Sequence, residues 1–260
     1  MPISGQNILL YEKSDGVVTI TLNRPERQNA VSWELQRRLA DAWVQFRDDD
    51  DARVAILTGA GDKTFCTGAD LVEQSETDER EGKAVHPELL QMCPVEIWKP
   101  IIAAVNGYAI AGGFWLAKSC DIRIASENAE FGIAESKWNM PAFWIHDLTA
   151  ELSIAHALEI ALWGDRRISA QRAYEMGFVN KVVPRDKLMD EAMSWADSMR
   201  YLAPRCVRNF KQIIRRGRYL SYADGEAFAK ALENNLIGME DTIEGPRAFA
   251  EKRKPVFKDK

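Results

Sequence analysis

The chain has 260 residues, a net charge of −5 and a balanced composition, with 46% hydrophobic and 28% charged residues. Proteins that bind nucleic acid or a membrane surface usually carry a basic face, which this acidic balance argues against. No apolar run reaches the roughly 18 residues that span a bilayer, and the N-terminus lacks a secretory signal pattern. The four cysteines form neither a CxxC pair nor a Cys/His cluster, so we expect a cytoplasmic protein without a metal site.

Apolar, β-branched runs alternate with helical patterns in the first half of the chain, as in α/β folds. The predicted strands cover residues 8–13 and 16–22, which form a hairpin, and then residues 54–58, 101–105, 122–125 and 129–133. Ser32 is a candidate N-cap for a helix that ends near Arg47. The charged residues 74–88 predict a mobile loop, and residues 89–98 predict a helix.

The second half of the chain is mainly helical. Apart from a strand at residues 178–183, the predicted helices cover residues 148–163, 169–176, 186–201, 204–217, 221–236 and 241–251. We therefore expect an α/β core over residues 1–200 and a helical region over residues 201–260.

The functional interpretation depends on a glycine-rich turn at residues 106–113. Residues 101–105 predict a buried strand, and Gly112 and Gly113 stand where the chain turns into an apolar helix. The first N–H groups of a helix have no partner within it, so such a turn can hold an anion. The glycine pair is equally consistent with a close helix–sheet contact. Residues 65–71 form a second turn of small residues beside a strand end.

Five motifs occur in the order and spacing of the crotonase (enoyl-CoA hydratase/isomerase) superfamily, which the chain resembles from about residue 8 onward. They are residues 23–30 (NRPERQNA), 65–71 (FCTGADL), 106–113 (NGYAIAGG), 121–125 (DIRIA) and 131–135 (FGIAE). The resemblance implies a crotonase-like fold, with a ββα-repeat core and a helical C-terminal region that forms a homotrimer or a dimer of trimers. It also implies an acyl-CoA thioester as substrate, with no cofactor apart from this coenzyme A.

The resemblance also assigns a substrate site. The backbone N–H groups of Ala69 and Gly112 are expected to hold the thioester oxyanion, and Glu135 is expected to be the catalytic acid/base. Substrate and CoA contacts are expected from Arg24, Arg27, Gln28, Ala30, Gly68, Asp70, Leu71, Gly113, Trp115 and Phe143. The two arginines suit the phosphates of CoA, because a guanidinium group can donate two parallel hydrogen bonds to a phosphate.

Trp115 departs from the family pattern in a way that bears on the reaction. Familiar hydratases of the superfamily carry a glutamate at this position, two residues after the glycine pair, in addition to the one at Glu135. Tryptophan cannot transfer a proton, and a single glutamate suits a shuttle that moves a proton between two carbons. The bulky residues 141–148 are similar to those of single-glutamate Δ3,Δ2-enoyl-CoA isomerases. The sequence therefore favours double-bond isomerisation.

Several alternatives stay open. An atypical hydratase or hydratase-lyase for a bulky or cyclic enoyl-CoA fits if other groups position the water. A decarboxylase or hydrolase uses the same oxyanion hole, and a binding protein keeps the fold without catalysis. His146 and Asp147 form a second candidate acid/base pair, although such pairs more often cap helices. Cys66 lies beside the oxyanion turn but lacks a paired histidine, which argues against a nucleophile.

Overall fold

The computed structural model describes residues 7–82 and 95–260. Within these ranges, none of the helices has the length and apolar character that crossing a membrane requires. The strands are β1 (Leu9–Ser14), β2 (Val17–Leu22), β3 (Val54–Gly59), β4 (Thr64–Cys66), β5 (Ile101–Val105), β6 (Tyr108–Ile110), β7 (Ile122–Ser126), β8 (Glu130–Gly132), β9 (Ile168–Ser169) and β10 (Lys181–Val183). The α-helices are α1 (Trp33–Asp48), α2 (Leu71–Glu81), α3 (Gly112–Ser119), α4 (Ile154–Leu162), α5 (Ala170–Glu175), α6 (Leu188–Arg200), α7 (Pro204–Gly217), α8 (Tyr222–Asn234) and α9 (Glu240–Ala250).

The strands form two sheets. The larger has the order β1-β2-β3-β5-β7-β10 and the smaller has the order β4-β6-β8-β9. All neighbours are parallel except β1, which is antiparallel to β2, and β9, which is antiparallel to β8. The consecutive pairs β3/β4, β5/β6 and β7/β8 each give one strand to each sheet. This arrangement agrees with the predicted ββα-repeat core.

The larger sheet is buried on both faces, as parallel sheets usually are. Along β3, Ala55 and Leu57 belong to the main core, whereas Val54 and Ile56 belong to a second cluster on the opposite face. This alternation follows from the two-residue period of a strand. Helix α6 covers the second cluster with three residues that recur every fourth position, Leu188, Ala192 and Ala196.

Two predictions between residues 71 and 98 are wrong where the structure describes them. The predicted loop is helical up to Glu81, because Asp70 caps α2 by accepting a hydrogen bond from the Glu73 amide and Gly82 ends it with φ 65°. Residues 95–98 are not helical, since Pro100 favours an extended entry into β5. Residues 83–88 of the predicted loop and 89–94 of the predicted helix lie outside the described residues.

The helix predicted over residues 148–163 is also wrong, because the segment divides into two elements. A 3-10 helix covers Phe143–Ala150, and α4 begins after Ser153, whose hydroxyl accepts a hydrogen bond from the His156 amide at 3.3 Å. The helices predicted over residues 204–251 are confirmed as α7, α8 and α9. The division of the chain near residue 200 into a core and a helical region stays a prediction.

Candidate active site

A cavity of about 350 Å³ lies at the carboxyl ends of β4, β6 and β8. These three strands are parallel neighbours, so the turns that follow them meet at one edge of the smaller sheet. Each turn contributes to the cavity wall: Thr67, Ala69 and Leu71 after β4, Ala111 and Gly112 after β6, and Ala134 and Glu135 after β8. The topology therefore brings together residues that are far apart in the sequence.

Gly68 brings the first two turns into direct contact. Its φ of +86° favours glycine, and a Cβ at this position would lie 2.8 Å from the backbone nitrogen of Gly112. The amide N–H groups of Ala69 and Gly112 donate no hydrogen bond to another residue in the described part of the chain. Two free donors at one cavity wall form the arrangement that stabilises an oxyanion.

Ala111 holds the second turn in a strained conformation, with φ 53° and ψ −126°. Such a conformation costs a non-glycine residue roughly 1–3 kcal/mol. The surrounding hydrogen bonds maintain it: the Ala111 N–H donates to Gly132 O at 2.9 Å, and its carbonyl accepts from the Trp115 N–H at 3.1 Å. The strained backbone of Ala111 therefore lies at the start of α3, in the cavity wall.

Gly113 has a packing role, unlike its neighbour. A Cβ on Gly113 would lie 1.9 Å from the carbonyl oxygen of Cys66, so α3 packs against the end of β4 at backbone contact distance. The close helix–sheet contact therefore applies to Gly113, whereas Gly112 has a free N–H, and its role as an oxyanion donor stays a prediction. Cys66 is buried, and burial raises the pKa of its thiol to about 12, which keeps it protonated at neutral pH.

Glu135 follows β8 and begins a short 3-10 turn, Glu135–Lys137. Its side chain is only 7% exposed, and its Oε2 atom has no hydrogen-bond partner among the described residues. Burial raises the pKa of this carboxyl from 4.5 to about 7. A group with this pKa can both accept and donate a proton near neutral pH, as general acid/base catalysis requires.

The raised pKa of Glu135 predicts a pH-dependent cost in stability. The folded protein keeps this proton up to about pH 7, whereas the unfolded chain loses it near 4.5, so its contribution to stability falls as the pH rises between these values. A shift of this size corresponds to as much as about 3 kcal/mol. We expect Glu135→Gln to be more stable than the wild type at pH 8, with a smaller difference at pH 5. Urea unfolding followed by tryptophan fluorescence measures the stability of both proteins at each pH. An equal stability difference at pH 8 and pH 5 would contradict the raised pKa of Glu135.

Trp115 does not line the cavity, and its contact with the substrate stays a prediction. Its indole stacks on Trp144, with ring centroids 6.0 Å apart and planes at 2°, and meets Phe143 edge-on at 5.3 Å. Trp144 and Phe143 do line the cavity, and Phe114 stacks on the Trp144 ring at 5.9 Å. Trp115 therefore supports the aromatic part of the cavity wall through the rings that it contacts.

We expect Trp115→Ala to lower the free energy of unfolding by about 2–3 kcal/mol, because a half-buried aromatic stack is lost. It should also raise KM for aryl-substituted enoyl-CoA more than for short-chain enoyl-CoA, since Trp144 and Phe143 lose their support. Thermal unfolding and steady-state kinetics measure these effects. Trp195→Ala is the matched control: Trp195 is also half-buried, but it packs against the cluster under α6. Equal KM changes in both variants would contradict a role for Trp115 in shaping the cavity.

The predicted CoA-binding loop is fixed to the turn that carries Ala69. The Arg24 guanidinium donates to Asp70 Oδ2 at 2.9 Å and to the Ala30 carbonyl at 2.5 Å. Arg27 is exposed and has no ion pair with another described residue. The structure thus gives Arg24 an internal bracing role, and the phosphate contacts of both arginines stay predictions.

The cavity wall contains only part of the predicted site. It includes Gln28, Ala69, Leu71, Gly112, Glu135 and Phe143, but not Arg24, Arg27, Ala30, Gly68, Asp70, Gly113 or Trp115. Sequence reasoning missed Lys137, Met140 and the loop of residues 164–167 before β9. The antiparallel pairing of β9 with β8 brings this loop to the cavity. The local sequence contains no signal that predicts this pairing.

His146 and Asp147 do not line the cavity, so the structure does not place them to transfer a substrate proton. Asp147 accepts hydrogen bonds from Lys118 at 2.5 Å and from Arg218 at 3.2 Å. His146 Nδ1 lies 2.8 Å from the carbonyl oxygen of Phe143. The Asp147 carboxylate thus joins α3 to the C-terminal end of α7.

The family model for enoyl-CoA hydratase/isomerase matches residues 12–260. The chain is 38% identical over 256 residues to (E)-benzylidenesuccinyl-CoA hydratase of Thauera aromatica, covering 95% of this chain and 97% of that protein. It is 36% identical over 251 residues to carnitinyl-CoA dehydratase of Proteus mirabilis, covering 93% and 95%.

Comparison with solved structures points to the same family as comparison with sequence relatives. The crystal structure of an enoyl-CoA hydratase from Bacillus anthracis superimposes with a TM-score of 0.89 at 34% identity, over 98% of this chain and 100% of that one. An enoyl-CoA hydratase/isomerase from Mycobacterium paratuberculosis gives a TM-score of 0.89 at 32% identity, over 98% and 99%. The crotonase-like fold is confirmed, and this chain belongs to the enoyl-CoA hydratase/isomerase family of acyl-CoA enzymes.

Proposed function

We propose that this enzyme moves a proton at C2 of an enoyl-CoA thioester with Glu135 as its single acid/base, and that the net reaction is double-bond isomerisation. The ionised Glu135 takes a proton from C2 of a 3-enoyl-CoA. The electron pair delocalises onto the thioester oxygen, where the N–H groups of Ala69 and Gly112 stabilise it. Glu135 then returns the proton to C4, and the double bond moves to C2–C3.

One observation supports this proposal above the others: the unpartnered, buried Oε2 of Glu135 in a wall that also carries the two free oxyanion donors. Asp165, the other carboxylate residue in the described wall, is exposed. The position at which familiar hydratases carry a second glutamate holds Trp115, whose ring lies behind Trp144. The proposed proton transfer needs no cofactor besides the CoA of the substrate, because backbone donors hold the charge.

Hydration is the second candidate, and the relatives favour it. The two relatives described above are named as a hydratase and a dehydratase. In this reaction a water oxygen attacks C3, and the electron pair moves onto the thioester oxygen in the same oxyanion site. Protonated Glu135 then donates its proton to C2, and its carboxylate takes the proton that the added water loses. The name of the Thauera relative, together with the aromatic rings of Phe143, Trp144 and Trp138 in the wall, also supports an aryl-bearing acyl group.

Isotope labelling separates the two reactions. The enzyme is incubated in H₂¹⁸O with 3-enoyl-CoA and 2-enoyl-CoA thioesters that carry alkyl or phenyl groups. Isomerisation gives conjugated 2-enoyl-CoA without ¹⁸O, whereas hydration gives a 3-hydroxyacyl-CoA that contains ¹⁸O.

The two reactions should also differ in whether kcat/KM rises or falls with pH. Because isomerisation of a 3-enoyl-CoA starts from ionised Glu135, its kcat/KM should rise with pH through about 7, the pKa of that carboxyl. Hydration starts from the protonated form, so its kcat/KM should fall through the same range. Release of free CoA or CO₂ instead would indicate the hydrolase or decarboxylase alternative.

We further propose that the chain assembles as a trimer or a dimer of trimers, and that α7–α9 contribute to the interface. These helices carry large exposed apolar side chains, including Phe210, Ile214 and Phe249, of which Phe249 is 86% exposed. Size-exclusion chromatography with multi-angle light scattering at micromolar concentration tests this; a monomer mass near 29.4 kDa would contradict it. The cytoplasmic location stays a prediction.

A further inference from the structure

The far wall of the cavity contains cations that the proposed reaction does not use. The smaller sheet has the order β4-β6-β8-β9, so the turn after β4 and the loop before β9 stand at opposite edges. At about 4.8 Å per strand, these edges are separated by roughly 14 Å. The oxyanion donor Gly112 and Glu135 follow the two strands in between. If CoA lies along the β4 edge, the loop of residues 164–167 faces the acyl end.

This loop packs directly against the Glu135 turn. Residues Phe131 and Ile168 are register partners in the antiparallel β8–β9 pair, so the residues before β9 lie beside the carboxyl end of β8. A Cβ on Gly132 would lie 3.1 Å from the carbonyl oxygen of Arg166, and one on Gly164 would lie 2.3 Å from Ser136 Oγ. These close contacts fix the loop at the same end of the cavity as Glu135.

Lys137 and Arg166 line this end of the cavity, and neither has a carboxylate partner in the described ranges. Lys137 Nζ lies 5.4 Å from the ring centroid of Trp138, and the Arg166 guanidinium lies 4.6 Å from that of Trp163. Stacking occupies the face of a guanidinium and leaves its N–H edge free to donate. The neighbouring Arg167 differs, because it pairs with Glu130 at 3.4 Å.

The geometry points to an anion subsite at the acyl end: the substrate carries a second carboxylate, remote from the thioester, which Lys137 and Arg166 bind. This inference rests on the proposed acyl-CoA function and names its substrate class, a dicarboxylic acyl group attached to CoA through one carboxyl. Asp165 lines the same end and reduces the positive charge there without cancelling it. Acyl binding at this end brings apolar surface against Trp138, which strengthens the charged contacts by excluding water.

Binding of unreactive ligands tests the subsite independently of the reaction. Succinyl-, glutaryl- and adipyl-CoA are each compared by calorimetry with the methyl ester of their free carboxyl, so that the CoA contribution is the same within each pair. We expect the free acid of the best length to bind about tenfold more tightly than its ester, as for a charge-assisted hydrogen bond. The preference should shrink as the salt concentration rises.

Three variants assign the effect to residues. Lys137→Gln and Arg166→Gln should each reduce the acid-over-ester preference, whereas Asp165→Asn should increase it. Arg216→Gln is the matched control, because Arg216 stacks on Trp98 at 4.6 Å but lies outside the cavity; the preference should not change.

Equal affinity for acid and ester at every length, or an equal loss of affinity for both in the Lys137 and Arg166 variants, would overturn the anion subsite. The second result would assign these cations to the CoA moiety. Neither result bears on whether Glu135 transfers the proton, which is measured separately by turnover of a neutral enoyl-CoA.

Discussion

Glu135→Gln is expected to lower kcat by about 10³-fold, which is within the usual range for loss of a general acid/base. The amide preserves the size of the side chain but cannot take up and return a proton, so KM should change little. The raised pKa of the native carboxyl, about 7, indicates that burial tunes this group for proton exchange near neutral pH. Initial rates with the enoyl-CoA that the wild type converts fastest measure the loss.

Glu127→Gln is the matched control for this variant. Glu127 is an exposed glutamate in the turn before β8, outside the cavity wall, so its amide should retain wild-type kcat. Activity of Glu135→Gln within a few-fold of the wild type would show that another group transfers the proton.

Gly113→Ala should separate the two oxyanion donors. The added Cβ would lie 1.9 Å from the Cys66 carbonyl oxygen, a distance that no packing adjustment of a side chain can relieve. Helix α3 must therefore shift away from the end of β4, and the Gly112 N–H must shift with it. We expect at least a 10²-fold loss of kcat, comparable to removal of one oxyanion donor, and a lower melting temperature. Kinetics and thermal unfolding measure the two effects.

Gly217→Ala shows whether the effect is specific. Gly217 is the last residue of α7, and a Cβ there would have no atom within 4 Å. This substitution should leave activity unchanged and leave stability equal or slightly higher, since alanine favours a helix more than glycine. A Gly113→Ala variant with wild-type kcat would contradict the placement of α3 against β4.

The sequence predicts the part of the site that depends on short local motifs. Gly68 and Gly113 occur where only a residue without a side chain permits the backbone contacts, and the structure explains both. Glu135 follows a predicted strand, and the order of parallel strands places it at the same sheet edge as the oxyanion turns. These residues were predictable because each depends on its immediate neighbours and on the parallel topology.

Contacts between distant segments were not predictable in the same way. Trp115 follows the oxyanion turn by three residues, yet its ring faces Trp144 rather than the cavity, because the segment Phe143–Ala150 packs beside α3. Lys137 and Arg166 line the same cavity although they are far apart in the sequence, because β9 pairs with β8 in the antiparallel direction. Helix α2 was also missed, because its charged sequence has no periodic apolar pattern. The residues that define its ends are the Asp70 cap and Gly82.

The central claim is that Glu135 transfers the proton at C2. Its most direct test is deuterium incorporation into the acyl chain when the wild type and Glu135→Gln are incubated with an enoyl-CoA substrate in D₂O, followed by mass spectrometry. Hydration delivers deuterium to C2 from a Glu135 carboxyl that has equilibrated with D₂O. Isomerisation delivers it whenever that carboxyl exchanges with D₂O before the proton reaches C4, so repeated reversible turnover labels the acyl chain in both reactions. We predict incorporation with the wild type and with Glu127→Gln, and essentially none with Glu135→Gln. Incorporation by Glu135→Gln at the wild-type rate would contradict the claim.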